Sequence, residues 1–157
     1  MHPLFKFLHV AGVVVWVGGM FFAWMCLRPV AAVNFEPPAR LKLWADVFAR
    51  FFPWVWGCVS AILLTGLATL VATGMRQAPL HWHVMLLLGL IMSAIFVYVF
   101  MGPYAKLKGA VNGQNWASGA KALGKIRQLI GINLLLGFFA IAVALLGPLF
   151  VLGLPKR

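Results

Sequence analysis

Few side chains in this sequence can do chemistry, and most of those lie in apolar surroundings. His9 falls inside the run KFLHVAGVVVWVGGMFFAWM, Lys6 to Met25. An ionisable group at bilayer depth costs a few kcal/mol unless it faces the protein interior and finds a partner, so His9 is a candidate functional residue. At helical spacings of three and four, His9, Gly12, Trp16, Gly19 and Ala23 share one stripe. An imidazole beside a residue with no side chain, followed by an indole, suits a flat cofactor or a closely packed neighbouring helix. A second histidine group, His81 and His83, opens a later apolar run. His83 is the second candidate metal-linked residue. His81, two positions away and so on roughly the opposite side of a helix, reads as solvated or as an alternative ligand, and Met85 is a further alternative. His2, followed by Pro3, is in position to join a copper site at the amino terminus.

Other donors are sparse. Met20, Met25, Met85, Met92 and Met101 carry thioethers of the kind Cu(I) favours. They lack a paired Met-x-x-x-Met ladder and read more simply as core filler. Cys26 and Cys58 have no CxxC spacing and read as small buried residues. Glu36 and Asp46 are the whole acidic complement, both in a connecting segment, which excludes carboxylate-pair chemistry and carboxylate-rich Mg or Ca sites. Arg28 and Arg127 flank apolar runs, where either could pair with an anionic group such as a propionate or a lipid phosphate. Arg28 reads first as a membrane anchor. Arg127, followed by Gln128, Gly131 and Asn133, marks a polar pocket and a candidate cofactor-, substrate- or quinone-facing position.

The elements that must hold these residues are membrane spans. The chain has 157 residues, of which 64% are hydrophobic and 10% charged, the composition of an integral membrane protein. The run from Leu4 to Leu27 extends roughly 36 Å as a helix, against about 30 Å of hydrocarbon. No cleavable signal is evident, because the first apolar run is too long and lacks an A-x-A exit. The reading is a single all-α domain over residues 1–157, a bundle of four transmembrane helices at about 4–27, 52–73, 80–101 and 126–152. The first span is expected to end at Arg28-Pro29 and the third at Gly102-Pro103. Between spans one and two, the prolines at 37 and 38 and the pattern through Arg50 predict an amphipathic surface segment. Small and hydroxylated residues in span two, among them Gly57, Ser60, Thr65, Gly66 and Thr69, favour close helix approach in lipid. After span three, the basic stretch from Tyr104 to Lys125 continues partly as helix and turns near Asn112-Gly113.

The net charge of +11 is spread between the apolar runs rather than gathered in one block, which speaks for topology and anionic-lipid contact and against nucleic acid. Arg28, Arg40, Lys42, Arg50, Lys106, Lys108, Lys121, Lys125 and Arg127 fall on one side of the four spans. Lys6, Arg76, Lys156 and Arg157 fall on the other. The positive-inside bias then puts the two long connections in the cytoplasm and both termini outside a bacterial-type inner membrane. Spans one and three enter from the same face, with His9 about five residues into its helix and His83 about three. Their depths should differ by only a few ångströms at about 1.5 Å per residue. Two imidazoles at matching depth on separate helices are the minimum needed to hold a metal or a haem iron.

Lys6-x-x-His9 with Trp16, Gly18-Gly19 and Arg28-Pro29 resembles the first helix of the CopD (copper-resistance D) superfamily. His83-x-Met85 with Gly89, Met92 and the Gly102-Pro103 exit resembles its third span, and Ile126-Arg127-x-x-Ile130 to Asn133 the start of its last. The resemblance covers nearly the whole chain and points two ways. The superfamily's name implies copper tolerance or uptake. The related HemJ-type protoporphyrinogen oxidases are similar in the first helix and in the histidine opening the third, which implies haem b held at His9 and His83. The sequence departs from that branch at Met85, where a lysine is expected, and at Pro29-Val30-Ala31. The leading expectation is a b-type haem protein with redox activity toward quinone or a porphyrinogen, a haem-dependent oxidoreductase if it is an enzyme. Gly12 would let the macrocycle approach and Trp16 would pack against it. The alternative is a copper transport or tolerance protein, in which room for a pore would require a homo-oligomer.

Overall fold

The computed structural model describes residues 2–152. Lys156 and Arg157, counted above with the outer charge, lie outside the described residues. Four long helices make up nearly all of the described chain. They are α1 (Pro3–Asn34), α2 (Pro37–Thr73), α3 (Leu80–Asn112) and α4 (Trp116–Leu152). Each is long and apolar enough to cross a membrane, so the chain is an all-α, multi-pass membrane protein.

The helices run further than the apolar spans suggest, for two reasons. First, prolines do not end them. Wide π-type turns cover Phe22–Leu27, with the Arg28 N–H donating to the Ala23 carbonyl, and Pro29 follows directly. A second set covers Phe100–Tyr104 and contains Pro103. The extra residue per turn makes room for a ring and a missing N–H that would break the ordinary i→i−4 ladder. Pro53 likewise lies inside α2 without ending it. Second, the segment expected to lie on the membrane surface is the beginning of α2 itself. It is amphipathic as anticipated, with Lys42, Asp46 and Arg50 exposed. Leu41, Trp44, Ala45 and Phe48, however, are buried in the common core. The helices that carry spans two and four thus begin at Pro37 and Trp116, ahead of the apolar stretches that open near Phe52 and Ile126.

Turn chemistry closes the helices where the sequence places it. Gly74, at φ +88°, stops α2 in a conformation that a Cβ would strain. The turn Gly113–Asn115 follows α3, and the Asn115 side-chain oxygen accepts from the Ser118 N–H at 3.1 Å to cap α4. The turns at Phe35–Glu36 and Gly113–Asn115 share one end of the bundle. The turn at Gly74–Pro79 lies at the other, with the start of α1.

In lipid, apolar side chains gain little by meeting one another, so close packing and hydrogen bonds hold helices together. The core is an aromatic column. Trp44, Phe48 and Phe52 recur every fourth residue on one face of α2, with ring centres 5.2 and 5.0 Å apart. Phe96, Phe100 and Tyr104 of α3 meet this row edge-on, Tyr104 at 4.8 Å from Phe52. Each such pair contributes about 0.5–1.5 kcal/mol beyond area burial. In cross-section the bundle is a rhombus: α1 lies mainly on α2, α3 mainly on α4, and α2 and α4 also touch across the short diagonal. That leaves α1 and α3 at the far corners, meeting through the edge of Trp16 on Phe96, 6.4 Å between ring centres.

Candidate functional site

His9 lies on the seam between α1 and α2, toward the end of the Gly74 turn. Its Nδ1 is 3.0 Å from Thr65 Oγ1. Thr65 is buried and spends its one hydroxyl proton on α2 itself, donating to the Ala61 carbonyl at 2.5 Å. The hydroxyl oxygen must then accept from His9, so Nδ1 carries the imidazole proton. Gly66 lies beside the ring, where an added Cβ would be in ordinary contact, 3.5 Å from His9 Cε1. A neutral ring protonated at Nδ1 presents the Nε2 lone pair. This is the tautomer a metal-binding histidine needs, with its other nitrogen oriented by a neighbour.

His83 also donates from Nδ1, by a different route. Its Nδ1 lies 3.3 Å from the Pro79 carbonyl one turn back on α3, and a carbonyl only accepts. Leu63 packs at Gly89, which sets the level of Thr65 near Leu87 and places His83 about one turn further toward the Gly74 end. The two rings therefore share a tautomer and a similar depth, but each has its own partner on a different element. No hydrogen bond or ring contact joins them among the described residues. They stand on the helices at the far corners. Groups of three or more His, Cys, Asp or Glu able to hold a metal ion are absent among the described residues.

The remaining donors are placed as follows. His81 is not solvated: it packs into the α3–α4 seam, where a Cβ on Gly147 would meet its own Cβ at 2.6 Å, and its Nδ1 is buried without a partner. Met85 is half-buried on α3. His2 caps α1, its Nδ1 accepting from the Leu4 N–H at 3.3 Å, so that nitrogen is already engaged.

The stripe below His9 packs helix on helix. A Cβ on Gly12 would lie 3.0 Å from Ile62 Cγ1 and 3.3 Å from the Cys58 carbonyl, and Gly19 accommodates the Phe51 ring. Trp16 is 4% exposed, wedged against Phe96. The gap that would admit a macrocycle is thus closed by α2. The cavity beside Trp16 holds about 30 Å³, against about 300–1,000 Å³ for sites that enclose a cofactor. The residues present do not fit haem b at Gly12 and Trp16.

At the opposite end of the bundle Arg127 lies over the Trp44 ring at 5.6 Å, and Arg28 over the Trp24 ring at 4.5 Å. These four side chains, with Ala23 and Ile130, line a small cavity. This cavity is walled mostly by apolar surface and includes neither Gln128 nor Asn133, which were expected beside Arg127; Asn133 turns to the core and donates to the Met92 carbonyl at 3.3 Å. Two residues of consequence escaped the sequence reading. Thr65 was visible only as one of several small residues favouring close approach. Trp44 was visible only as part of an amphipathic face.

Four apolar helices, a tightly packed interior and imidazoles on two of the helices define a polytopic membrane protein with nitrogen donors in one half. The family model of copper resistance protein D, CopD, matches residues 45–146, roughly two thirds of the chain. The chain belongs to that family. The matched region contains Thr65, His83 and Arg127, and it begins after His9. Neither a curated protein nor a solved structure matches the chain.

Proposed function

We propose that the protein handles copper in a bacterial-type inner membrane, as a tolerance or transport component for which the ion is cargo. The observation that carries this reading is the His9–Thr65 pair. A threonine with no proton left to give holds an imidazole with its Nε2 lone pair free, on a chain whose family is defined by copper resistance. Imidazole nitrogen suits copper in either common oxidation state, and thioether sulfur suits Cu(I). His9 is the first donor in this reading. His83, in the same tautomer, is the second, with Met85 and His81 as further donors near it. The cavity beside Trp16 is too small for a passage, so movement of the ion across the bundle requires the helices to separate or a homo-oligomer to form. The nine basic residues at the end of the Glu36 turn support placing that end in the cytoplasm and the termini outside.

The haem reading, with quinone or a porphyrinogen as electron partner, would use the same Nε2 atoms as iron ligands. The closed α1–α2 seam does not favour it. Titration of detergent-purified protein with Cu(I) against a chromophoric chelator separates the two. The expected result is about one Cu(I) per chain, weakened at least tenfold by His9→Ala, with no visible absorption. A Soret band with sharp reduced α bands, abolished by His9→Ala, would replace copper with haem. Protein that is colourless and takes up no copper would remove both.

A further inference from the structure

Arg127 brings a positive charge into the wall of the bundle and meets no negative one. Its guanidinium lies over the Trp44 ring, and its Nε and Nη2 are buried without a hydrogen-bond partner. The charges that act on it, those of Arg28 and Arg40, are themselves cationic. The two acidic residues of the chain do not answer it: Asp46 is exposed on α2, and Glu36 is exposed in the turn before it. A guanidinium half withdrawn from water, with two of its nitrogens buried and no counter-charge, is costly, and an anion that reaches it offsets that cost. A second donor in the same wall is also unpaired. Trp44 is 1% exposed and its indole N–H has no acceptor.

The side chains that carry these donors line a mostly apolar cavity of about 10 Å³, together with Ala23, Trp24, Arg28 and Ile130. That is room for about one water-sized atom, not for a ring or an acyl chain. Arg28 is exposed and stands on the Trp24 ring. Trp24 in turn packs against α4, where a Cβ on Gly131 would meet the outer edge of its ring at 2.9 Å. The arrangement is a one-atom cavity walled by two side chains with unpaired donors, Arg127 and Trp44, and by a second, exposed cation, Arg28.

We infer that this cradle binds a phosphate group, with one oxygen in the cavity against Arg127 and Trp44 and the others at the rim beside Arg28. A halide would fill the cavity and leave the rim unused. A group with several oxygens uses both, and guanidinium forks match its geometry. Arg28 also marks where α1 leaves its apolar stretch, the level of lipid headgroups, so the phosphate can come from an anionic phospholipid or from a soluble phosphate.

The test uses the full chain in neutral detergent, followed by native mass spectrometry with added phosphatidylglycerol and, separately, inorganic phosphate. The expected result is one phosphatidylglycerol retained per chain, with affinity reduced roughly tenfold or more in Arg127→Gln and reduced as well in Arg28→Gln. Arg28 is exposed, so its variant leaves the core intact and keeps the test open if Arg127→Gln folds poorly. Inorganic phosphate bound with the same arginine dependence, and lipid not retained, would assign the site to a soluble phosphate. Retention of phosphatidylglycerol unchanged in both variants, or binding of neither probe, overturns the inference. Copper binding is read at the other end of the bundle and is expected to be unchanged in both variants.

Discussion

Thr65 is the hydrogen-bond partner of His9 across the α1–α2 seam, 3.0 Å from its Nδ1. The threonine hydroxyl donates to the Ala61 carbonyl on its own helix and accepts from His9 Nδ1 on the neighbouring one. A residue that elsewhere would only ease helix packing thus sets which imidazole nitrogen is left free.

Replacing Thr65 tests that relationship without touching the donor. Thr65→Val keeps the shape and removes the acceptor, so His9 loses its orientation. The expectation is a tenfold to hundredfold fall in Cu(I) affinity, in line with the loss of an outer-shell partner, and about 1 kcal/mol of stability or less. Thr65→Ser is expected to restore both. Competition titration and thermal unfolding of the three proteins provide the measurement.

Two glycines on α1 should behave oppositely. Gly12 faces the Cys58 carbonyl at 3.3 Å and the Ile62 side chain at 3.0 Å, measured from the position a Cβ would take, whereas nothing lies within 4 Å of such an atom on Gly18. Gly12→Ala is expected to cost about 1–3 kcal/mol through overpacking against a backbone that cannot yield. Gly18→Ala is expected to be neutral or stabilising by up to about 1 kcal/mol. Thermal unfolding in one detergent ranks them, and equal midpoints would show that the α1–α2 seam is looser than described.

Orientation has its own test. In a background with Cys26→Ser and Cys58→Ala, a cysteine at Glu36 or Gln114 is expected to resist a membrane-impermeant maleimide applied to intact cells. A cysteine at Arg76 is expected to react. The reverse pattern would put both termini in the cytoplasm despite the charge bias.

Asn133 offers a case where removing polarity should help. Its Nδ2 donates to the Met92 carbonyl while its Oδ1 is buried unpaired beside the apolar cavity. Asn133→Leu removes the orphaned oxygen and fills space, so an unfolding midpoint equal to or above that of the parent is expected. A large loss of stability would mean that the amide has a partner beyond the Met92 carbonyl.

Much of the architecture is legible in the chain. Four apolar runs long enough for a bilayer predict four helices, because lipid leaves the backbone no other way to satisfy its polar groups. The spacing of His9, Gly12, Trp16 and Gly19 predicts a close helix contact, one of the two uses that such a face allows. The limits of the helices are less legible. Pro29 and Pro103 read locally as stops, yet a π-type turn beside or around each carries the helix on. That choice depends on packing further along, where Leu41, Trp44 and Leu107 extend the core past the apolar spans.

Composition and hydropathy, read along the chain, determined that this is a multi-pass membrane protein with four helices able to cross, and that most of its positive charge lies in the first and third connections. They could do so because bilayer thickness and charge transfer act on each segment separately. Which groups meet was decided only by the tertiary structure. Thr65 lies 56 positions from His9, and Trp44 and Arg127 come from different helices, so no local pattern encodes either pair. The rhombus that sets α1 and α3 apart arises from how four surfaces fit together, and it gave the two imidazoles separate partners where depth alone suggested a shared one.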